Sequence, residues 1–285
     1  MIKRMSSLLL VSVMLFAVSS CNSKKSVDPS KQVTILYPNW SEGIAFSYLA
    51  KAALEVDSFE VELINLEPGL IYGELSKGNS KGDVFLDAWL PHTHAAYWEK
   101  YGKKLVQMGE IFSGGTTGLV VPGYVTINSI EELNAQKDKF DSEIIGIGSG
   151  AGIHEKTIKV IEDYSLDFEQ ITSSGTAMVA SLEKAIRDEK WIVVTGWKPH
   201  YMWAKFDLKY LEDPKGIYPT DVCAIVSRRG FEEEKPEAAQ FFKNFKLTEE
   251  QLYSLLDAIG THGEEEGARI WYSENKELVD SWKQN

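Results

Sequence analysis

The chain has 285 residues, 44% of them hydrophobic, with 30 basic and 42 acidic side chains and a formal net charge of −12. That length allows one large or two medium globular domains, and the acidic balance argues against nucleic-acid binding, which needs a basic surface. There are two cysteines, Cys21 and Cys223, so at most one intrachain disulfide is available to hold the fold.

The N-terminus reads as a secretory signal over residues 1–20. Lys3 and Arg4 precede an apolar stretch from Leu8 to Val18, which ends in Ser19-Ser20-Cys21. The stretch is too short and wrongly flanked for a transmembrane anchor. Cys21 at the cleavage point resembles a bacterial lipobox, which implies cleavage before Cys21, lipidation of its thiol and an extracytoplasmic, membrane-anchored protein. The alternative is a plain signal peptide with an incidental cysteine. Residues 21–31 are polar and read as a tether. No other apolar run approaches the length that spans a bilayer.

The remaining elements alternate. Val33–Tyr37 reads as a strand, and Gly43–Val56 as a helix with Ile44, Tyr48, Ala52 and Val56 at helical spacing. Phe59–Leu66 alternates as a strand, Leu70–Lys77 is a short helix, Val84–Trp89 a buried strand and Tyr97–Lys104 a helix. Gly118–Pro122 is a strand stopped by proline. The order then begins again. Strands are predicted at Glu143–Ile147, Phe168–Thr172 and Trp191–Gly196, and helices at Ile153–Tyr164 and Thr176–Glu189. The β-α-β-α-β series in each half predicts two α/β domains with largely parallel sheets. After the strand Val222–Ser227, helices are predicted at Pro236–Lys246, Thr248–Ile259 and Gly267–Lys283, with Thr248-Glu-Glu-Gln251 in capping-box form. Cys223 lies inside that last strand and reads as a buried small apolar residue.

One pattern is written twice. Trp89-Leu-Pro-His92 and Trp197-Lys-Pro-His200 each end an apolar run. Each also follows a Gly-Ile pair, Gly43-Ile44 or Gly152-Ile153, at matching distance. Tryptophans at strand ends suggest a cleft with an aromatic face on each wall, because open α/β sheets gather ligands beyond the carboxyl ends of their strands. Trp40, in Tyr37-Pro-Asn-Trp-Ser-Glu-Gly43, sits at another such end. The glycine-rich approach Gly146-Ile-Gly-Ser-Gly-Ala151 leads into Gly152-Ile153, where a helix start would leave backbone amides free for an anion.

Together, Ile35–Trp40, Asp87–His94, Ile144–Ile153 and Thr195–His200 behind a lipobox resemble the substrate-binding lipoproteins of glycine betaine ABC transporters. The resemblance implies a two-lobed periplasmic-binding-protein fold with two crossover strands and the ligand in the interlobe cleft. Residues 32–118 with 223–285 would form lobe I and 119–222 lobe II, the C-terminal helices being the uncertain part. Strands near 116–122 and 222–228 would form the hinge. It further implies that Trp40, Trp89 and Trp197 cage a quaternary ammonium, and that His94 with the amides of Gly152 and Ile153 holds a carboxylate. The partners implied are a betaine-like osmoprotectant, a membrane permease and its cytoplasmic ATPase. The binding protein itself would be a monomer without a cofactor. Proline betaine, carnitine and choline stay open as alternative ligands.

Two other readings compete with this one. His92, His94, His154 and His200 could make a zinc-uptake site, but a His-x-His pair without an acidic or histidine-rich loop is weak evidence. An enzyme would need a nucleophile elbow, paired catalytic carboxylates or a reactive-cysteine context, and the sequence offers none. Asp87, two residues before Trp89 on a strand, shares its face and either biases the pocket toward cations or orients a neighbour. Trp191, Trp271 and Trp282 read as structural, and Trp98 and Trp203 as core or rim. The glutamate triplets 232–234 and 264–266 read as solvated surface.

Overall fold

The computed structural model describes residues 28–284. The signal over 1–20, the lipidation at Cys21 and most of the tether therefore lie outside the described residues. In the first half, the strands β1 (Gln32–Tyr37), β2 (Glu60–Asn65) and β3 (Val84–Leu90) alternate with the helices α1 (Ser41–Glu55), α2 (Pro68–Leu75) and α3 (Ala95–Tyr101). The long strand β4 (Leu105–Pro122) leads into β5 (Glu143–Ile145), α4 (Gly152–Asp163), β6 (Glu169–Ile171), α5 (Gly175–Arg187) and β7 (Val193–Lys198). A short helix α6 (Met202–Lys205) and strand β8 (Leu208–Tyr210) precede β9 (Thr220–Arg228). The helices α7 (Phe231–Glu234), α8 (Pro236–Asn244), α9 (Glu249–His262), α10 (Glu264–Glu274) and α11 (Lys276–Ser281) complete the chain.

The strand order is β2-β1-β3-β9-β4-β7-β5-β6, with β8 on β4. β1, β2 and β3 are parallel, as are β5, β6 and β7, while β9 and β4 run antiparallel between these two groups. This is a two-lobed periplasmic-binding-protein fold. The lobes are joined where β4 exchanges partners: it pairs with β9 from Leu105 to Thr116 and with β7 from Thr116 to Val120. The crossing thus lies at Thr116 and Thr220. The 222–228 stretch, expected to be part of the hinge, is instead inside the first lobe's sheet, paired on both sides with β3 and β4.

Both faces of the sheet are covered, so inner strands such as β3 and β7 are apolar runs, while the edge strand β2 alternates. In the first lobe, α1 and the C-terminal helices bury Phe46, Leu49, Phe241, Phe245 and Trp282 over one face, and α2 buries Ile71, Tyr72 and Leu75 with Phe85 on the other. α9 and α10 pack on α1, and α8 packs on β4. The second lobe closes over Leu119, Val121, Ile144, Val160 and Val193. Two predicted elements differ. The strand at Gly118–Pro122 is the far end of an 18-residue strand, and the predicted helix Gly267–Lys283 breaks at Asn275 into α10 and α11. Among the described residues no helix is long and apolar enough to cross a membrane.

Candidate functional site

The first cavity wall comes from two strand ends and the helices that follow them. Trp40 precedes α1 in extended conformation, and its ring stands 6.4 Å from Trp197 and 5.9 Å from His94, centroid to centroid. Trp89, 2% exposed, lies near the end of β3, and its ring occupies the space a side chain at Gly115 of β4 would fill, with a Cβ there only 2.8 Å from the ring. Asp87 shares its face of the strand and accepts the Trp89 indole N–H at 2.9 Å. The second wall is Trp197 on β7, whose indole N–H crosses to Glu42 Oε2 of α1 at 2.8 Å and whose carbonyl accepts from the Trp203 indole at 2.7 Å. The peptide bonds before Pro91 and Pro199 are both cis.

His94 caps this arrangement from the turn after β3. It is fully buried, and Nδ1 accepts the backbone N–H of Trp89 at 3.1 Å. Burial drives its pKa down to about 3, because a dry pocket disfavours the imidazolium. The ring is therefore neutral near pH 7. With Nδ1 occupied as an acceptor, the remaining proton sits on Nε2. That Nε2 has no protein partner although it is buried. A buried donor without an acceptor is uncommon in native structures and marks a place where a ligand acceptor fits. Asp221 fixes the turn by accepting the amides of His92 and Thr93 at 2.6 and 3.0 Å, and the Thr93 hydroxyl at 2.5 Å.

Across from His94 stands the start of α4. Ala151 offers no side-chain cap, so the amides of Gly152 and Ile153 open the helix without a capping side chain, the first-turn acid being the exposed Glu155. A side chain at Gly152 is excluded, since its Cβ would lie 2.1 Å from the Thr93 carbonyl oxygen. The two lobes touch there, and again where Tyr97 donates to the Gly150 carbonyl at 2.9 Å.

One cavity is lined by all six predicted residues, Trp40, Trp89, His94, Gly152, Ile153 and Trp197. It holds about 260 Å³ of empty space, partly open to solvent. Its wall also includes Glu42, which the sequence did not mark as a site residue. An acid in the first turn of a helix ordinarily reads as a surface partner of the helix dipole. The remaining histidines do not converge. His92 is exposed, His200 is buried edge-on against Trp197 with Nδ1 accepting the Met202 amide, and among the described residues no three His, Cys, Asp or Glu groups could hold a metal ion. Trp191 packs on Phe140, Trp271 on the core and Trp282 on Phe245, away from the cavity.

The same architecture is found in solved structures. Lactococcal OpuAC, in its closed conformation with glycine betaine, is 34% identical with a TM-score of 0.84, over 89% of this chain and 100% of that one. The glycine/betaine/L-proline-binding protein ProX of Borrelia burgdorferi is 32% identical with a TM-score of 0.84, over 88% of this chain and 96% of that one. The glycine betaine/carnitine transport binding protein GbuC of Listeria monocytogenes serotype 1/2a (strain 10403S) is 40% identical over 163 residues, 54% of each chain, so the match spans about half of that relative's length. Residues 31–274 match the family model of the substrate-binding domain of the ABC-type glycine betaine transport system, and the chain belongs to that family.

Proposed function

We propose that this chain captures glycine betaine in the cavity between its lobes and delivers it to a membrane permease driven by a cytoplasmic ATPase. Its role would be binding, not turnover. In this reading it works outside the cytoplasm, held to the membrane through a lipid on Cys21. The single observation that carries the ligand assignment is the pairing of unlike ends in one small cavity. Three indole faces stand at one end, and at the other are a buried, unpartnered His94 Nε2–H and an uncapped helix start.

The two ends match the two ends of a carboxylated quaternary amine. A trimethylammonium group has no N–H to donate and spreads its charge over methyl groups, so hydrogen-bond acceptors cannot hold it directionally. Aromatic faces supply both dispersion and quadrupole attraction, about 2 kcal/mol for each desolvated contact. Three give about 6 kcal/mol. The carboxylate takes donors from His94 Nε2, Gly152 and Ile153, each worth about 2 kcal/mol to a charged acceptor. Against an association cost of at least ~4 kcal/mol, the balance is near 8 kcal/mol, which corresponds to micromolar affinity.

Calorimetric titration of the purified chain with glycine betaine, proline betaine, carnitine and choline tests this. Glycine betaine should bind at least tenfold more tightly than choline, which lacks the carboxylate. Tighter binding of choline would mean that His94 and the α4 amides are not a carboxylate clamp, and would move the protein to a choline-uptake system.

A further inference from the structure

Beneath the aromatic cavity lie two carboxyl groups that the cage and clamp leave unused. Glu42 and Asp87 are 0% and 1% exposed, and no basic side chain acts on either. They are linked to the cage in the same manner. Trp197 donates its indole N–H to Glu42 Oε2, Trp89 donates to Asp87 Oδ1, and one oxygen of each carboxyl, Glu42 Oε1 and Asp87 Oδ2, is buried without a partner. Asp87 Oδ2 abuts the first turn of α1, close enough that a Cβ on Gly43 would lie 3.0 Å away. Glu42 lines the cavity itself.

We propose that Glu42 and Asp87 share one negative charge under the cage, and that Glu42 is the residue that makes the site select a positively charged headgroup over a neutral one of the same shape. The proposal rests on the quaternary-amine reading above and deepens it. Two buried carboxyls that act on one another's charge, with no basic partner, resist ionising together. Asp87, inside β3 with Glu42 beside it, is pushed well above the usual carboxylate range by burial and then by the charge of Glu42. Glu42 sits in the first turn of the 15-residue α1, where the helix dipole favours an anion. Burial lifts it only to about 7, and the Trp197 N–H works against that rise. The α1 dipole thus draws the shared charge to Glu42 and leaves the proton to Asp87. The other titratable groups around them lie on α2, β9, α9 and the turn after β3, and include the buried Asp221 of β9, which acts on Cys223 and Tyr72. The Cys223 thiol on β9 is pushed up by burial and by the two carboxylates, Tyr72 on α2 and Tyr253 on α9 are raised, and His94 is held neutral by its low pKa.

A cation on the cage stabilises ionised Glu42 and lowers its pKa. Where free Glu42 is protonated, binding must therefore release a proton. Affinity for a cationic ligand should fall as the pH drops below about 7 and level off above it. A ligand with a neutral head should show no such step.

The test compares glycine betaine with 3,3-dimethylbutanoate, which replaces the nitrogen by carbon and keeps the shape and the carboxylate. Both are titrated by calorimetry into wild type and Glu42→Gln at pH 6 and pH 8. The glutamine retains an oxygen for the Trp197 N–H. At pH 8 wild type should prefer betaine, and the variant should lose on the order of tenfold or more in betaine affinity while binding dimethylbutanoate as wild type does. A second measurement needs no variant: wild-type titrations in buffers of different ionisation enthalpy should show proton release with betaine near pH 6 and none with dimethylbutanoate. Equal weakening of both ligands by Glu42→Gln, unchanged betaine affinity, or betaine binding without proton release would each overturn the charge-selection role and leave the cage intact. A wild type that binds neither ligand would instead remove the cage reading, and this inference with it.

Discussion

Trp197→Ala strips the second lobe's wall from the cavity, and its effect can be worked out from what the ring touches. The ring supplies one desolvated cation–π face, about 2 kcal/mol. It also supports Trp40, 6.4 Å away at 57°, a pair worth about 0.5–1.5 kcal/mol. The Trp40 contact and the N–H bond to Glu42 are lost from free and bound protein alike and largely cancel. The net loss of binding is then ~2 kcal/mol, or roughly 30-fold in Kd at 1.4 kcal/mol per decade. Trp197→Phe keeps an aromatic face and should lose only about 1 kcal/mol. The strand end should stay folded in both, since β7 remains paired with β4 and β5. Calorimetry on variants with wild-type melting curves gives the answer. Trp282→Ala is the control: it empties a buried stack on Phe245 and should cost ~3–5 kcal/mol of stability with no change in affinity per folded molecule. A Trp197→Ala protein whose Kd stays within about twofold of wild type would refute the cage.

His94→Ala removes the Nε2–H donor and should weaken glycine betaine binding by roughly tenfold or more while leaving any choline binding nearly unchanged, as titration of both ligands would show. Ligand contacts made from both lobes should favour the closed state; small-angle scattering should record a smaller radius of gyration at saturating betaine for wild type and little compaction for Trp197→Ala. His200, like His94, has its pKa lowered from 6.5 to about 3 by burial. The unfolded chain therefore binds protons that the folded one refuses between those values, so this stability is present above 6.5 and lost as pH falls toward 3. Denaturant unfolding at pH 7 and pH 5 should show wild type losing more stability than His200→Gln.

The cavity was legible because its residues contradict their surroundings. A tryptophan at a strand end before proline has no core to enter, and Gly-Ile at a helix start after a glycine-rich run leaves amides uncapped. Both signals are local, and the structure brings Trp40, Trp89, His94, Gly152, Ile153 and Trp197 to one space. Inner strands such as β3 and β7 were legible as apolar runs because both sheet faces are covered there, and the edge strand β2 from its alternation. The first part of β4 was not: Gly109, Gly114 and Gly115 interrupt it, and three register irregularities break the alternation that marks a strand. The break at Asn275 was hidden because the apolar pattern continues across it into Val279 and Trp282. Glu42 escaped notice for a different reason. Whether a first-turn glutamate faces water or a cavity depends on the second lobe, whose Trp197 is 155 residues away in the chain.

The most direct measurement is the crystal structure of the chain with glycine betaine bound. The trimethylammonium should lie against the faces of Trp40, Trp89 and Trp197, and the carboxylate should accept from His94 Nε2 and from the amides of Gly152 and Ile153. A ligand bound outside this cavity, or bound in it with its carboxylate turned toward the tryptophans, would contradict the account.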